Sequence, residues 1–129
     1  MGALWPIRPL ISVSLLARAG APIRSFKAGE IIFRHGDPAE ELYIVKSGKV
    51  EIRLGNRLLD TLSELSIFGE MALIDHSPRS ATVVAATDAT VVPVDEKQFL
   101  FLVSRTPHFA LNVMRVLAQR LRTTNSVVY

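Results

Sequence analysis

Between Phe26 and Val94 the chain is a succession of short runs rich in Ile, Val, Phe and Tyr, each cut off by Gly, Pro, Asn or Asp. No other feature limits the fold as strongly, because runs this short suit strands and are too brief for stable helices. Ile31 to Arg34 predicts a strand, and His35-Gly36-Asp37-Pro38 a turn, since Gly tolerates positive φ and Pro fixes φ. Glu41 to Lys46 predicts the next strand, closed by a tight turn at Ser47-Gly48. Val50, Ile52 and Leu54 alternate with Glu51 and Arg53, the period of a half-buried strand. Gly55-Asn56 turns the chain into a further strand over Leu58 to Leu62. Thr82 to Ala86 and Thr90 to Val94 are expected to pair around Thr87-Asp88. Short strands at this spacing suggest an antiparallel sandwich or jelly roll.

The two ends have a different texture. A short helix is expected around Pro9 to Arg18, ended by Ala19-Gly20-Ala21-Pro22. Asp95, with Gln98 three residues on, has the form of a capping box ahead of Phe99, Leu100 and Leu102. Thr106-Pro107 reads as the N-cap and first residue of a longer helix. Ala110, Met114, Leu117 and Leu121 recur there at helical spacing, with Val113 and Val116 beside them, and this stripe is expected to pack on the strands. The fold class is therefore mainly β with flanking helices: residues 1–25 an N-terminal helical segment, 26–94 an antiparallel β-roll, 95–129 C-terminal helices.

A length of 129 residues suggests one domain with a real core, and 49% hydrophobic against 21% charged residues makes a disordered chain untenable. The absence of cysteine excludes disulfides, iron–sulfur clusters, thiolate zinc sites and cysteine catalysis, and fits a reducing cytoplasm. The apolar stretches Val91 to Val94 and Phe99 to Val103 are too short to span a bilayer. Leu10 to Leu16 carries two serines and leads to no small-residue cleavage site, so no secretion signal is expected. The net charge is only +3 and the basic residues are scattered. The local group Arg115, Arg120 and Arg122 reads as a solvated helix face, not a duplex-binding surface. His35, His76 and His108 stand apart without metal-ligand spacing, and no Gly-x-Ser-x-Gly elbow occurs, so neither a metal site nor an enzyme is expected.

The segment that carries chemistry is Phe68 to Thr82. A glycine stands where a strand would pass into a short helical turn, whose first amides lack intrahelical partners and suit an anion such as a phosphate. Arg79 follows a proline and opens a strand; a guanidinium held there can grip two phosphate oxygens. Ser80 adds a hydroxyl. Glu70 would repel a bare phosphate, but suits a ligand that also presents hydroxyl donors, as ribose does. Taken singly, Arg79 would be an ion pair to Asp75 and Glu70 a carboxylate at a helix N-terminus.

Phe68-Gly-Glu-Met-Ala-Leu-Ile, three variable residues and Pro78-Arg79-Ser80-Ala81-Thr82 resemble the phosphate-binding cassette of cyclic nucleotide-binding domains, as found in the catabolite activator protein, protein kinase A regulatory subunits and cyclic-nucleotide-gated channels. Lys27 to Val50 resembles the first strands of that family, and the likeness runs from about Phe26 to the C-terminus. The resemblance implies a β-roll (double-stranded β-helix) with a short cassette helix. It implies a ligand site made of Phe68, Gly69, Glu70, Met71, Ala72, Arg79, Ser80, Ala81 and Thr82. Arg79 would neutralise the cyclic phosphate, Glu70 would accept from the ribose 2′-hydroxyl, and amides from Gly69 to Ala72 and at Ser80 and Ala81 would complete the cradle. Thr124 and Asn125 fall where relatives place polar contacts to adenine. Ser80 stands where cyclic-GMP-preferring relatives often place a threonine that contacts the guanine amino group, and could do either job; cyclic AMP is favoured and cyclic GMP is the alternative. No cofactor is implied, only this ligand. Too few residues follow Arg122 for a helix-turn-helix, so a free-standing sensor is expected, or the ligand-binding fragment of a transcription regulator or ion channel. A homodimer or effector contact would use the C-terminal helix.

Overall fold

The structure, a computed structural model, describes residues 22–124 and 129, without the side chains of Thr123 and Thr124. The helix expected around Pro9 to Arg18 lies outside the described residues. Eight strands form two four-stranded antiparallel sheets: β1 (Arg24–Phe26), β8 (Ala89–Val94), β3 (Leu42–Ser47) and β6 (Ile67–Phe68), in that order, and β2 (Ile31–Phe33), β7 (Thr82–Ala85), β4 (Val50–Leu54) and β5 (Arg57–Leu62). Among the described residues three helices follow the chain order: α1 (Met71–Ile74), α2 (Glu96–Arg105) and α3 (His108–Thr124).

The sheets face each other across one apolar cluster that includes Phe33, Tyr43, Val45, Val50, Ile52, Phe68, Val83 and Val91. A second cluster lies on the outer face of the first sheet, where Leu42, Ile44, Ile67, Val92 and Val94 meet Leu102, Phe109, Val113 and Val116 of the helices. Successive strand side chains point to opposite faces. So Leu42 to Val45 of β3 and Val91 to Val94 of β8, covered on both sides, are unbroken apolar runs, whereas β4 keeps Val50 and Ile52 inside and leaves Glu51 and Arg53 half-exposed.

One expected pairing is overturned. Thr82 to Ala86 and Thr90 to Val94 do not form a hairpin: β7 pairs with β2 and β4, and β8 with β1 and β3. The link between them crosses from one sheet to the other. The Lys49 carbonyl accepts from the amides of Ala86 and Thr87 at 2.9 and 3.4 Å, and Gly48 packs against the far side of the crossing. Gly48 has φ +80°, and a Cβ there would stand 2.2 Å from the Asp88 carbonyl oxygen, so only glycine fits.

The capping box forms as the sequence implies. The Asp95 carboxylate accepts from the Gln98 amide at 2.8 Å, and the Gln98 side chain accepts from the Asp95 amide at 3.1 Å. Thr106 closes α2, its amide donating to the Leu102 carbonyl at 2.7 Å, and α3 starts at His108 instead of at Pro107. The apolar stripe of α3 is also rotated from the expected one. Phe109, Val113 and Val116 face the roll, while Met114 and Leu121 are 58% and 59% exposed. The rotation follows from two anchors: Phe109 packs on Phe99 with ring centroids 5.5 Å apart, and Arg120 reaches inward from the same face.

Candidate functional site

The cassette is an arch from β6 in one sheet to β7 in the other. Gly69 opens it with φ +78°, a left-handed conformation that turns the strand into α1. α1 is a single turn, held by the Ala72 amide on the Gly69 carbonyl (3.2 Å) and the Leu73 amide on the Glu70 carbonyl (3.1 Å). The Asp75 carboxylate then accepts from the Ser77 amide at 3.0 Å, and hydrogen bonding by the Ser77 side chain, followed by that amide bond, holds the exposed carboxyl below its ordinary 3.8.

Arg79 is fixed by the turn over His35 to Pro38. Its amide donates to the Asp37 carbonyl at 2.9 Å, and its carbonyl accepts from the Gly36 amide at 2.8 Å. The Asp37 carboxylate caps the same turn through the Arg34 amide at 2.9 Å. So anchored, the side chain folds back under the arch. Nη1 donates to the Gly69 carbonyl at 3.2 Å, and the guanidinium carbon lies 4.1 Å from the Phe33 ring centroid and 5.5 Å from that of Tyr43. Arg79 is only 6% exposed. Among the described residues no carboxylate lies within ion-pair range of it, and its buried Nε has no hydrogen-bond partner. Burial pulls its pKa below the ordinary arginine value. The expected alternative, an ion pair with Asp75, does not form.

Glu70 is 1% exposed. Its carboxylate caps no helix; it pairs with Arg120 of α3, whose Nη1 donates to the two oxygens at 2.6 and 3.1 Å. Arg120 Nη2 also donates to the Ile67 carbonyl at 2.6 Å. The expectation of a solvated arginine face is therefore wrong for Arg120, which is 5% exposed, and right for Arg122, which is exposed. The physical reason is the partner: a buried carboxylate fifty positions upstream compensates the buried cation.

Gly69, Met71, Ala72, Arg79, Ser80 and Ala81 line one cavity together with Phe33 and Tyr129. Phe68, Glu70 and Thr82 do not line it. Phe68 is stacked on Tyr43 in the inter-sheet core at 5.2 Å, and the Thr82 hydroxyl accepts from the His35 amide at 3.0 Å. Thr124 ends α3, but its side chain and the whole of Asn125 lie outside the described residues. Sequence reasoning missed Phe33, Arg120 and Tyr129. For Arg120 a signal existed, since it continues at helical spacing the row Phe109, Val113, Val116. For Tyr129 there was none.

The cavity thus holds a desolvated cation with no carboxylate in ion-pair range among the described residues, while Glu70 is buried outside its lining and already held by Arg120. An anionic group would satisfy the cation.

A family model described as cyclic nucleotide-binding domain matches residues 23–106. The cyclic AMP receptor protein of Thermus thermophilus is 39% identical over 104 residues, 77% of this chain and 48% of that protein. The CRP-like cAMP-activated global transcriptional regulator of Mycobacterium tuberculosis is 31% identical over 122 residues, 89% of this chain and 53% of that protein. The crystal structure of the Thermus thermophilus catabolite activator protein superposes with a TM-score of 0.74 at 35% identity, covering 96% of this chain and 58% of that one. The chain spans about half the length of these curated relatives. With two sheets closed around an arch that presents a buried arginine, and a match over most of the roll, this chain belongs to the cyclic nucleotide-binding domain family.

Proposed function

We propose that this chain binds cyclic AMP in the arch and acts as a regulatory sensor, with residues 26–94 as the receiving roll and 95–129 as the responding helices, in the cytoplasm. The observation that carries the reading is Arg79, a buried guanidinium with an unpaired Nε and no acidic partner among the described residues. A cyclic phosphate would restore the interaction that burial removed. Amides from Gly69 to Ala72 and at Ser80 and Ala81 would complete the cradle, while Thr124 and Asn125 would meet the base. Glu70 retains lone pairs beyond those used by Arg120, so it can accept from a ribose hydroxyl. That bond would share the carboxylate with Arg120 and so couple the nucleotide to α3. The ligand shifts the helix only by its difference in affinity for the two arrangements.

Calorimetric titration with cyclic AMP, cyclic GMP and cyclic di-GMP tests the reading. Cyclic AMP should bind most tightly, cyclic di-GMP should give no heat, and Arg79→Ala should weaken cyclic AMP by about tenfold to a hundredfold. Tighter binding of cyclic GMP would transfer the assignment to that nucleotide, and silence from all three would end it. Cyclic AMP incubated with the protein should be recovered unchanged. NMR of α3 with and without nucleotide tests the helix response; identical spectra there would leave binding without a switch.

A further inference from the structure

Tyr129 sits at the cassette, although no feature of the sequence marks it. It is 5% exposed and belongs to the inter-sheet core. Its backbone oxygen accepts from the Gly69 amide at 2.5 Å. Its ring lies under the Arg120 guanidinium, 4.4 Å from carbon to centroid. Its hydroxyl donates to the Asp60 carboxylate on β5 at 2.7 Å. One residue thus engages the glycine that opens the arch, the arginine that holds Glu70, and an acid on the second sheet.

With Tyr129 in place, the cavity beside Arg79 has a free volume of about 10 Å³. That admits one water, whereas small-molecule sites run to about 300–1,000 Å³. A nucleotide and Tyr129 cannot share the space. We propose that the cassette holds Tyr129 as a ligand from its own chain, which a cyclic nucleotide must displace. The proposal rests on reading the arch as the nucleotide site. The tyrosine satisfies part of the cradle: an oxygen for the Gly69 amide, and an aromatic ring for the space under Arg120. It makes no hydrogen bond to Arg79, whose Nε stays unpaired. A phosphate has that interaction in addition, and this is what makes the resident displaceable. Part of the intrinsic affinity for nucleotide is spent on expelling the tyrosine, so the apparent affinity is lowered by the fraction of molecules in which the site is filled.

The test is calorimetric titration of the whole chain with cyclic AMP, for wild type, Tyr129→Phe and Tyr129→Ala, with the Gly69 amide followed by NMR in nucleotide-free protein. Tyr129→Ala should bind cyclic AMP about fivefold more tightly or better. Tyr129→Phe, which keeps the ring and loses only the Asp60 bond, should tighten binding by about twofold to threefold. The Gly69 amide should shift in Tyr129→Ala before any nucleotide is added. Unchanged affinity overturns the proposal. So does weaker binding by both variants, which would make the ring a cap on bound nucleotide. The two readings fail separately. If no variant gives heat, the nucleotide assignment falls, while the Gly69 resonance still decides whether Tyr129 fills the arch, and an unmoved resonance removes that idea alone.

Discussion

Two arginines lie buried within the same small volume and do different things. Arg120, on the helical side, has a carboxylate at 2.6 Å and a carbonyl at 2.6 Å, and its charge is compensated inside the protein. Arg79, on the arch side, has an aromatic face at 4.1 Å, one carbonyl at 3.2 Å and an Nε with nothing to donate to. Similar burial therefore carries opposite meanings. A buried cation with its own acid is part of the framework, and the buried cation without one is the group on which the proposed nucleotide site rests.

The contrast can be broken most forcefully at Arg120. Arg120→Met strands Glu70 as an unpaired buried charge and should cost about 3–5 kcal/mol in urea unfolding without nucleotide. Adding Glu70→Gln should recover most of that loss. Arg79→Met strands no acid, and should change stability by less than about 1 kcal/mol. If it proves the costlier of the two, the distinction is lost.

A smaller effect is expected at the mouth of the arch. Gly69→Ala forces an alanine into φ +78° and sets its Cβ 2.7 Å from Arg79 Nη1. The left-handed strain should cost about 1–2 kcal/mol of stability. The displaced guanidinium should lower cyclic AMP affinity by about tenfold, and undisturbed affinity would show that its orientation does not matter. Next comes the aromatic face. A double-mutant cycle between Phe33→Leu and Arg79→Met should give a coupling of about 0.5–1 kcal/mol, and a coupling of zero would mean the ring merely fills space.

The smallest effect concerns Asp75. Its folded pKa lies below the ordinary 3.8 because it accepts from Ser77. Its contribution to stability is therefore complete above that value and disappears as the pH falls through the lower folded one. Asp75→Asn should have a lower urea midpoint than wild type at neutral pH. The gap should close on acidification below about pH 4, and a gap that persists in acid would assign the loss to some other contact.

Much of this was legible in the chain itself. Strand period along Val50 to Leu54, the Asp95–Gln98 box and the turn at His35 to Pro38 are local, and local chemistry decides them. What escaped was set by distant residues. Thr82 to Ala85 and Ala89 to Val94 look like a hairpin because they are adjacent, yet their partners come from strands elsewhere in the sequence. Arg120 looks solvated because its acid lies fifty positions away. Met114 and Leu121 fit the inner stripe by spacing yet are exposed, because two apolar rows lie side by side on α3 and only packing against Phe99 and Glu70 selects between them. At the site, Arg79 and Glu70 stood out by their residue types, but that one is unpaired and the other paired is a fact of three dimensions.

The arch has a mechanical side as well. It leaves one leaf of the sandwich at Phe68 and joins the other at Thr82, and the chain has no cysteine with which to stitch the leaves covalently at that margin. The span is fastened there by noncovalent contacts alone, Arg79 on the Gly69 carbonyl and Tyr129 on the Gly69 amide, so a nucleotide bound as proposed would bear directly on how the two leaves meet at that margin.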